Sequence, residues 1–115
     1  MKIEGEGKLV RIFTGEADRW HGHSLHDAII RRAREEGLAG ATVLRGIAGF
    51  GAQSRIHTAS VLRLSQDLPI IVEIVDRNER IDPFLKILDE MVTEGMITVE
   101  KVQIIAYRHS GAENE

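Results

Sequence analysis

Three features of the chain predict an α+β fold with the element order β-α-β-β-α-β: four short runs of β-branched and aliphatic residues, two segments with helical spacing of apolar residues, and a glycine closing each segment. Two βα units with right-handed crossovers, sharing one antiparallel sheet with both helices on one face, make a ferredoxin-like sandwich. With 115 residues, 43% of them hydrophobic, the chain can bury one modest core and not two. Residues 1–115 are therefore expected to form one domain.

Lys8–Thr14 is the first strand, β-branched and aromatic, and Gly15 ends it. The polar stretch from Gly15 to His23 is read as irregular. Ser24, with Asp27 three residues on, is an N-capping signature, and Leu25, Ala28, Ile29, Arg32 and Ala33 follow at helical spacing until Gly37. Ala41–Ala48, bounded by Gly40 and Gly49, is too short for a helix and is the second strand.

Leu68–Asp76 is the plainest strand, because Ile70, Ile71, Val72, Ile74 and Val75 are β-branched and Pro69 stands at its entry, where a missing amide donor does least harm. It is expected at or near the centre of the sheet. Asp82-Pro83 is read as the cap and first turn of the second helix, with Phe84, Ile87, Leu88, Met91 and Val92 on one face until Gly95. Ile97–Tyr107 closes the pattern, Val102, Ile104 and Ala106 alternating with Gln103, Ile105 and Tyr107. Only Glu73 interrupts the apolar run from Ile70 to Val75, so the sheet face without helices is expected to be buried by other copies of the chain.

Composition excludes several function classes. The chain has no cysteine, which removes disulfides, thiolate zinc sites and cysteine nucleophiles. A net charge of −3 and 4% aromatic residues argue against nucleic acid as a partner, since both a phosphate-binding footprint and base-stacking strands are missing. No signal-peptide core or membrane-length apolar run is present, so the cytoplasm is the expected compartment.

Three groups of residues are candidates for chemistry. In Gly46-Ile47-Ala48-Gly49-Phe50-Gly51-Ala52-Gln53, glycines leaving a strand let the backbone approach a ligand and aim its amides at an anion or base edge; they equally suit a β-bulge and a tight turn. The connection that follows, from Gly49 to Asp67, runs about nineteen residues, a length usually functional or disordered in a compact domain. Its inner part, Ile56–Leu64, is read as an extended arm or docked segment. His21, His23 and His26, beside Glu16, Asp18 and Asp27, have the donor chemistry for zinc, nickel or copper if a turn gathers them, and otherwise face solvent or cap the helix. Arg45, Arg55, Arg63 and Arg108 offer forks for phosphate, and Arg108, just past the last strand, is the preferred one. Ser54 with His57, and Ser60 with Asp67, lack the elbow that would make either serine a nucleophile.

The chain resembles the PII-like proteins, in particular a small branch marked by Phe13-Thr14-Gly15-Glu16, Trp20-His21-Gly22, Glu36-Gly37-Leu38-Ala39-Gly40-Ala41-Thr42-Val43, Arg45-Gly46, Gly49-Phe50-Gly51 and Ile56-His57-Thr58. Gly49-Phe50-Gly51-Ala52-Gln53 is similar to the Gly-Phe-Gly-x-Gln at the base of the PII T-loop, here the connection at about 49–67. The resemblance implies a homotrimer packed through its sheets, with a nucleotide, usually an adenine nucleotide, in each cleft between subunits. Gly46, Gly49, Phe50, Gly51 and Gln53 would line that site, and Arg108, followed by Ser110-Gly111, would face a phosphate.

Two departures from the PII pattern sharpen the expectation. Glu94-Gly95-Met96-Ile97 replaces the phosphate loop Gly-Asp-Gly-Lys, which favours AMP, ADP or a cyclic nucleotide over ATP. The connection has no tyrosine, Tyr107 being the only one in the chain, so nucleotidylation of a loop tyrosine is excluded. The implied function is a non-enzymatic regulatory protein whose long loop engages a partner, in the family often a membrane transporter or channel or a metabolic enzyme. The alternatives are a divalent-cation-handling trimer using His21, His23 and His26, and a small-substrate enzyme on the same fold.

Overall fold

The computed structural model describes residues 3–50, 56–58 and 68–109. Its main sheet has four strands: β1 (Gly5–Gly15), β4 (Thr42–Arg45), β7 (Pro69–Arg77) and β8 (Met96–Ile104), in the spatial order β4-β7-β1-β8. All three neighbouring pairs are antiparallel, with Arg11 opposite Glu73 and Thr98, and Val43 opposite Val72. With helices α1 (Leu25–Glu35) and α2 (Asn78–Met91) between the strands, this is the expected β-α-β-β-α-β sandwich, and β7 is central.

One face of the sheet builds the core. Val10 and Ile12 of β1 and Ile70, Val72 and Ile74 of β7 pack with Leu25, Ile29 and Ala33 of α1 and Ile81, Phe84, Leu88 and Met91 of α2. Strand periodicity sends the intervening residues to the opposite face, where Leu9, Arg11, Phe13, Ile71, Glu73 and Val75 stand without a helix over them.

Helix α1 ends as its glycine requires. Gly37 has φ +80, its N–H donates to Arg34 O, and Leu38 N–H donates to Ala33 O, the paired bonds of a Schellman motif with Leu38 buried behind them. At the other end Ser24 is the N-cap residue, but its hydroxyl donates to Asp27 Oδ2 at 2.8 Å and makes no cap bond. The first helical amide, Leu25 N–H, is met instead by Asp18 O at 2.8 Å.

The structure corrects several boundaries. The stretch read as irregular holds a two-residue hairpin, β2 (Arg19–Trp20) and β3 (His23–Ser24), whose turn residues His21 (φ 49) and Gly22 (φ 86) have the positive φ of a type I′ turn. The second strand stops at Arg45; a break at Gly46 and Ile47 separates it from β5 (Ala48–Phe50), which pairs with β6 (Ile56–Thr58). Helix α2 begins at Asn78 and not at Asp82, because that places Ile81 in line with Phe84, Leu88 and Met91 on the buried face. Pro83 therefore lies inside the helix, where it withholds a bond only from the carbonyl of exposed Glu79. The last strand ends at Ile104, short of Tyr107.

Candidate functional site

The glycine segment leaves the sheet where β1 ends, β4 ends and β7 begins. Gly46 N–H donates to Pro69 O at 2.8 Å. A Cβ on Gly46 or Gly49 would lie 3.1 or 3.0 Å from Pro69 Cγ, so both glycines let the chain run close over the proline ring. Gly49 sits on β5 opposite His57, and Phe50 opposite Ile56. The glycines thus lead into an antiparallel pair, and the strand Ile56–Thr58 is the described part of the segment Ile56–Leu64, the rest of which lies outside the described residues. Gly51, Gln53, Arg55 and Arg63 lie outside the described residues.

A charged pair unforeseen in the sequence stands at this end. Arg45 Nη2 donates to the Glu16 carboxylate, 2.9 Å from either oxygen, and Glu16 N–H donates to Leu68 O at 2.8 Å. Together they tie the ends of β1 and β4 to the start of β7. Pairing two residues 29 apart needs the β1–β7–β4 neighbourhood, which no local spacing announces.

Arg108 lies at the other end of the sheet. It follows the terminus of β8, where Ile104 pairs with Gly5, whereas Gly46 and Pro69 are level with Gly15. The eleven residues of β1 span about 33 Å. Within one chain, then, Arg108 and the glycine segment do not meet. The Arg108 side chain is exposed and has no ion-pair partner among the described residues.

Around Arg108 the chain end is fastened. Tyr107 Oη donates to Ala39 O at 3.2 Å, and Ala39 N–H donates to Asp76 Oδ2 at 2.9 Å. The second carboxylate oxygen of Asp76 accepts Arg77 N–H at 2.7 Å, and the residue is fully buried. The sequence held one usable signal here: position 76 continues the inward-facing series Ile70, Val72, Ile74, so an acid there must be buried and bonded.

The three histidines are dispersed over a turn, a strand and a helix. His21 stacks on Trp20, with centroids 4.2 Å apart and planes at 10°, His23 lies on β3, and His26 is in the first turn of α1. Among the described residues no three histidine, aspartate or glutamate side chains gather as a metal site. Nor, among those residues, is any helix long and apolar enough to cross a membrane.

Residues 7–104 match the model of the DUF190 family, described as Uncharacterized ACR. A UPF0166 protein of Aquifex aeolicus is 41% identical over 98 residues, covering 85% of this chain and 92% of the relative. Another, from Methanocaldococcus jannaschii, is 34% identical over 95 residues, covering 82% and 87%. Among solved structures the fold is similar to CPII of Thiomonas intermedia K12 bound to ADP and bicarbonate, with a TM-score of 0.61, 17% identity, and coverage of 86% of this chain and 88% of that one. It is also similar to a B. subtilis GlnK-ATP complex, with a TM-score of 0.57, 14% identity, and coverage of 87% and 84%. The architecture is that of the PII proteins, as the resemblance in the sequence implied.

Proposed function

The chain belongs to the DUF190 (UPF0166) family, and from that premise we propose that it is a non-enzymatic regulatory protein of the PII type. It binds an adenine nucleotide between subunits of a homotrimer and engages a partner through the connection at about residues 49–67. The observation that carries this is the separation of Gly46 and Gly49 from Arg108 at opposite ends of one sheet. The close backbone approach that the glycines allow, and a guanidinium with no ion-pair partner among the described residues, converge on one ligand only when a second copy supplies one of them.

The uncovered sheet face supports the assembly, since Val75 and Met96 on it are 41% and 55% exposed in the single chain. The solved PII-fold proteins hold ADP in one case and ATP in the other, which supports an adenine nucleotide here. With Glu94-Gly95-Met96-Ile97 in place of a lysine-bearing loop, a diphosphate or monophosphate is the better match. Gly51 and Gln53 join the site by their match to the Gly-Phe-Gly-x-Gln pattern. The regulated partner would be a membrane transporter or channel, or a metabolic enzyme.

The test is thermal stability, with the oligomer mass known, against ATP, ADP, AMP, cyclic AMP, zinc and copper. A nucleotide at 100 times its dissociation constant adds about 2.7 kcal/mol. Stabilisation of a trimer by one nucleotide, with no turnover, supports the proposal. Stabilisation by zinc or copper alone overturns it in favour of the histidines.

A further inference from the structure

We propose that Tyr107 and Asp76 are positioning residues for Arg108, clasping the chain end onto the loop between α1 and β4 so that the guanidinium is held ready for an anionic ligand. This rests on the nucleotide site proposed above and adds to it two residues that touch no ligand.

The ladder of β8 with β1 ends at Ile104, and Ile105 beyond it is 78% exposed. A segment leaving a sheet in this way is ordered only where something ties it down; here the ties are a backbone bridge at Arg108 and the Tyr107 side chain. Tyr107 is half-buried between exposed Ala106 and exposed Arg108, and its hydroxyl reaches Ala39 O. Ala39 is a fixed point. Its N–H is held by Asp76 at 2.9 Å, and it directly follows Leu38, the buried end of the Schellman motif. Asp76 is itself anchored, fully buried on the central strand with both oxygens occupied by backbone amides.

The chain of contacts runs from the core through one carboxylate, one peptide unit and one phenol to the residue adjacent to Arg108. An arginine whose backbone is already placed has only its side-chain rotamers left to order when it meets a phosphate. The same contacts answer why the chain carries a buried acid with no ion pair among the described residues, and a lone tyrosine whose hydroxyl points back at the fold.

The decisive experiment is a double-mutant cycle of Tyr107→Phe and Arg108→Ala, with ADP as the probe and trimer mass as a control. Tyr107→Phe alone is expected to weaken ADP binding about fivefold, the worth of one neutral hydrogen bond. In the Arg108→Ala background it is expected to add nothing, because its effect passes through Arg108. Unchanged ADP affinity in Tyr107→Phe, or an equal loss in both backgrounds, overturns the proposal. Should the wild-type trimer not bind ADP at all, the nucleotide reading fails and amide exchange decides the clasp alone. Faster exchange at residues 105–109 in Tyr107→Phe, with the Ala39 amide still protected, supports it; unchanged exchange overturns it.

Discussion

Arg11 Nε donates to Glu73 Oε2 at 2.9 Å in the middle of the sheet face that carries no helix. Its Nη1 donates to Glu100 Oε1 at 2.6 Å, so one guanidinium joins the strands on either side of β1. The bonds to Glu73 and then Glu100 raise the Arg11 pKa above its ordinary value. A raised folded-state value means that the network's contribution is complete below the unfolded arginine value and is lost only as pH climbs past the folded one. Raising the pH to about 10 is therefore expected to leave it intact.

Arg11→Leu tests what that network does. In the single chain the residue is half-buried at the open face, and such partly solvated pairs contribute little to stability, so the fold is expected to survive. In an assembly packed through this face the substitution strands two carboxylates, and subunit affinity is expected to fall about tenfold or more. Analytical ultracentrifugation against concentration reads the difference, and an unchanged trimer would show that the face is not the interface.

The two sides of β7 give a second contrast. Ile74→Ala, at a residue 1% exposed, is expected to cost about 3 kcal/mol and lower the melting temperature by about 10 °C or more. Val75→Ala next to it, 41% exposed on the open face, is expected to leave secondary structure and core packing unchanged and to act on subunit mass. Circular dichroism melts paired with sedimentation separate the two effects.

Gly95 is held by two independent constraints. Its φ is +130, and a Cβ there would lie against Phe13 O, well inside contact distance. Because the obstacle is backbone carbonyl, it cannot swing aside, and Gly95→Ala is expected to cost about 2 kcal/mol or more in a denaturant titration.

Arg108→Ala is expected to weaken ADP binding about 10- to 100-fold, the range for a charged hydrogen bond to phosphate, with the ligand-free melting temperature unchanged because the side chain is exposed and unpaired among the described residues. Calorimetric titration checks it. A melt that drops as far as the affinity would mark the residue as structural.

His21→Asn separates the hairpin from any metal chemistry. Asparagine accepts positive φ as readily, so stability is expected to stay within about 0.5 kcal/mol. Zinc-induced stabilisation lost in this variant would place a metal at the turn.

By itself the sequence determined the order of the four main strands and two helices, the apolar faces of both helices apart from Ile81, the stop at Gly37 and the strand entry at Pro69. Those follow from periodicity and from the special backbones of glycine and proline, which act over a few residues. The hairpin at Arg19–Ser24 escaped because its turn uses His21 where asparagine is usual and its strands are two residues each. The start of α2 was misplaced because a proline inside a helix reads locally as a first turn, whereas burying Ile81 outweighs one lost bond at an exposed carbonyl.

Only the tertiary structure decided which distant residues share an end of the sheet. Arg45 meets Glu16, Tyr107 and Asp76 meet at Ala39, and Arg108 follows the end of β8 that lies away from the glycines it was matched with. Strand order sets those distances, and strand order is a global solution to burying two helices on one face of four strands. The residues of the candidate site were legible one by one, and the resemblance implied a cleft between subunits, but their separation within one chain was not legible.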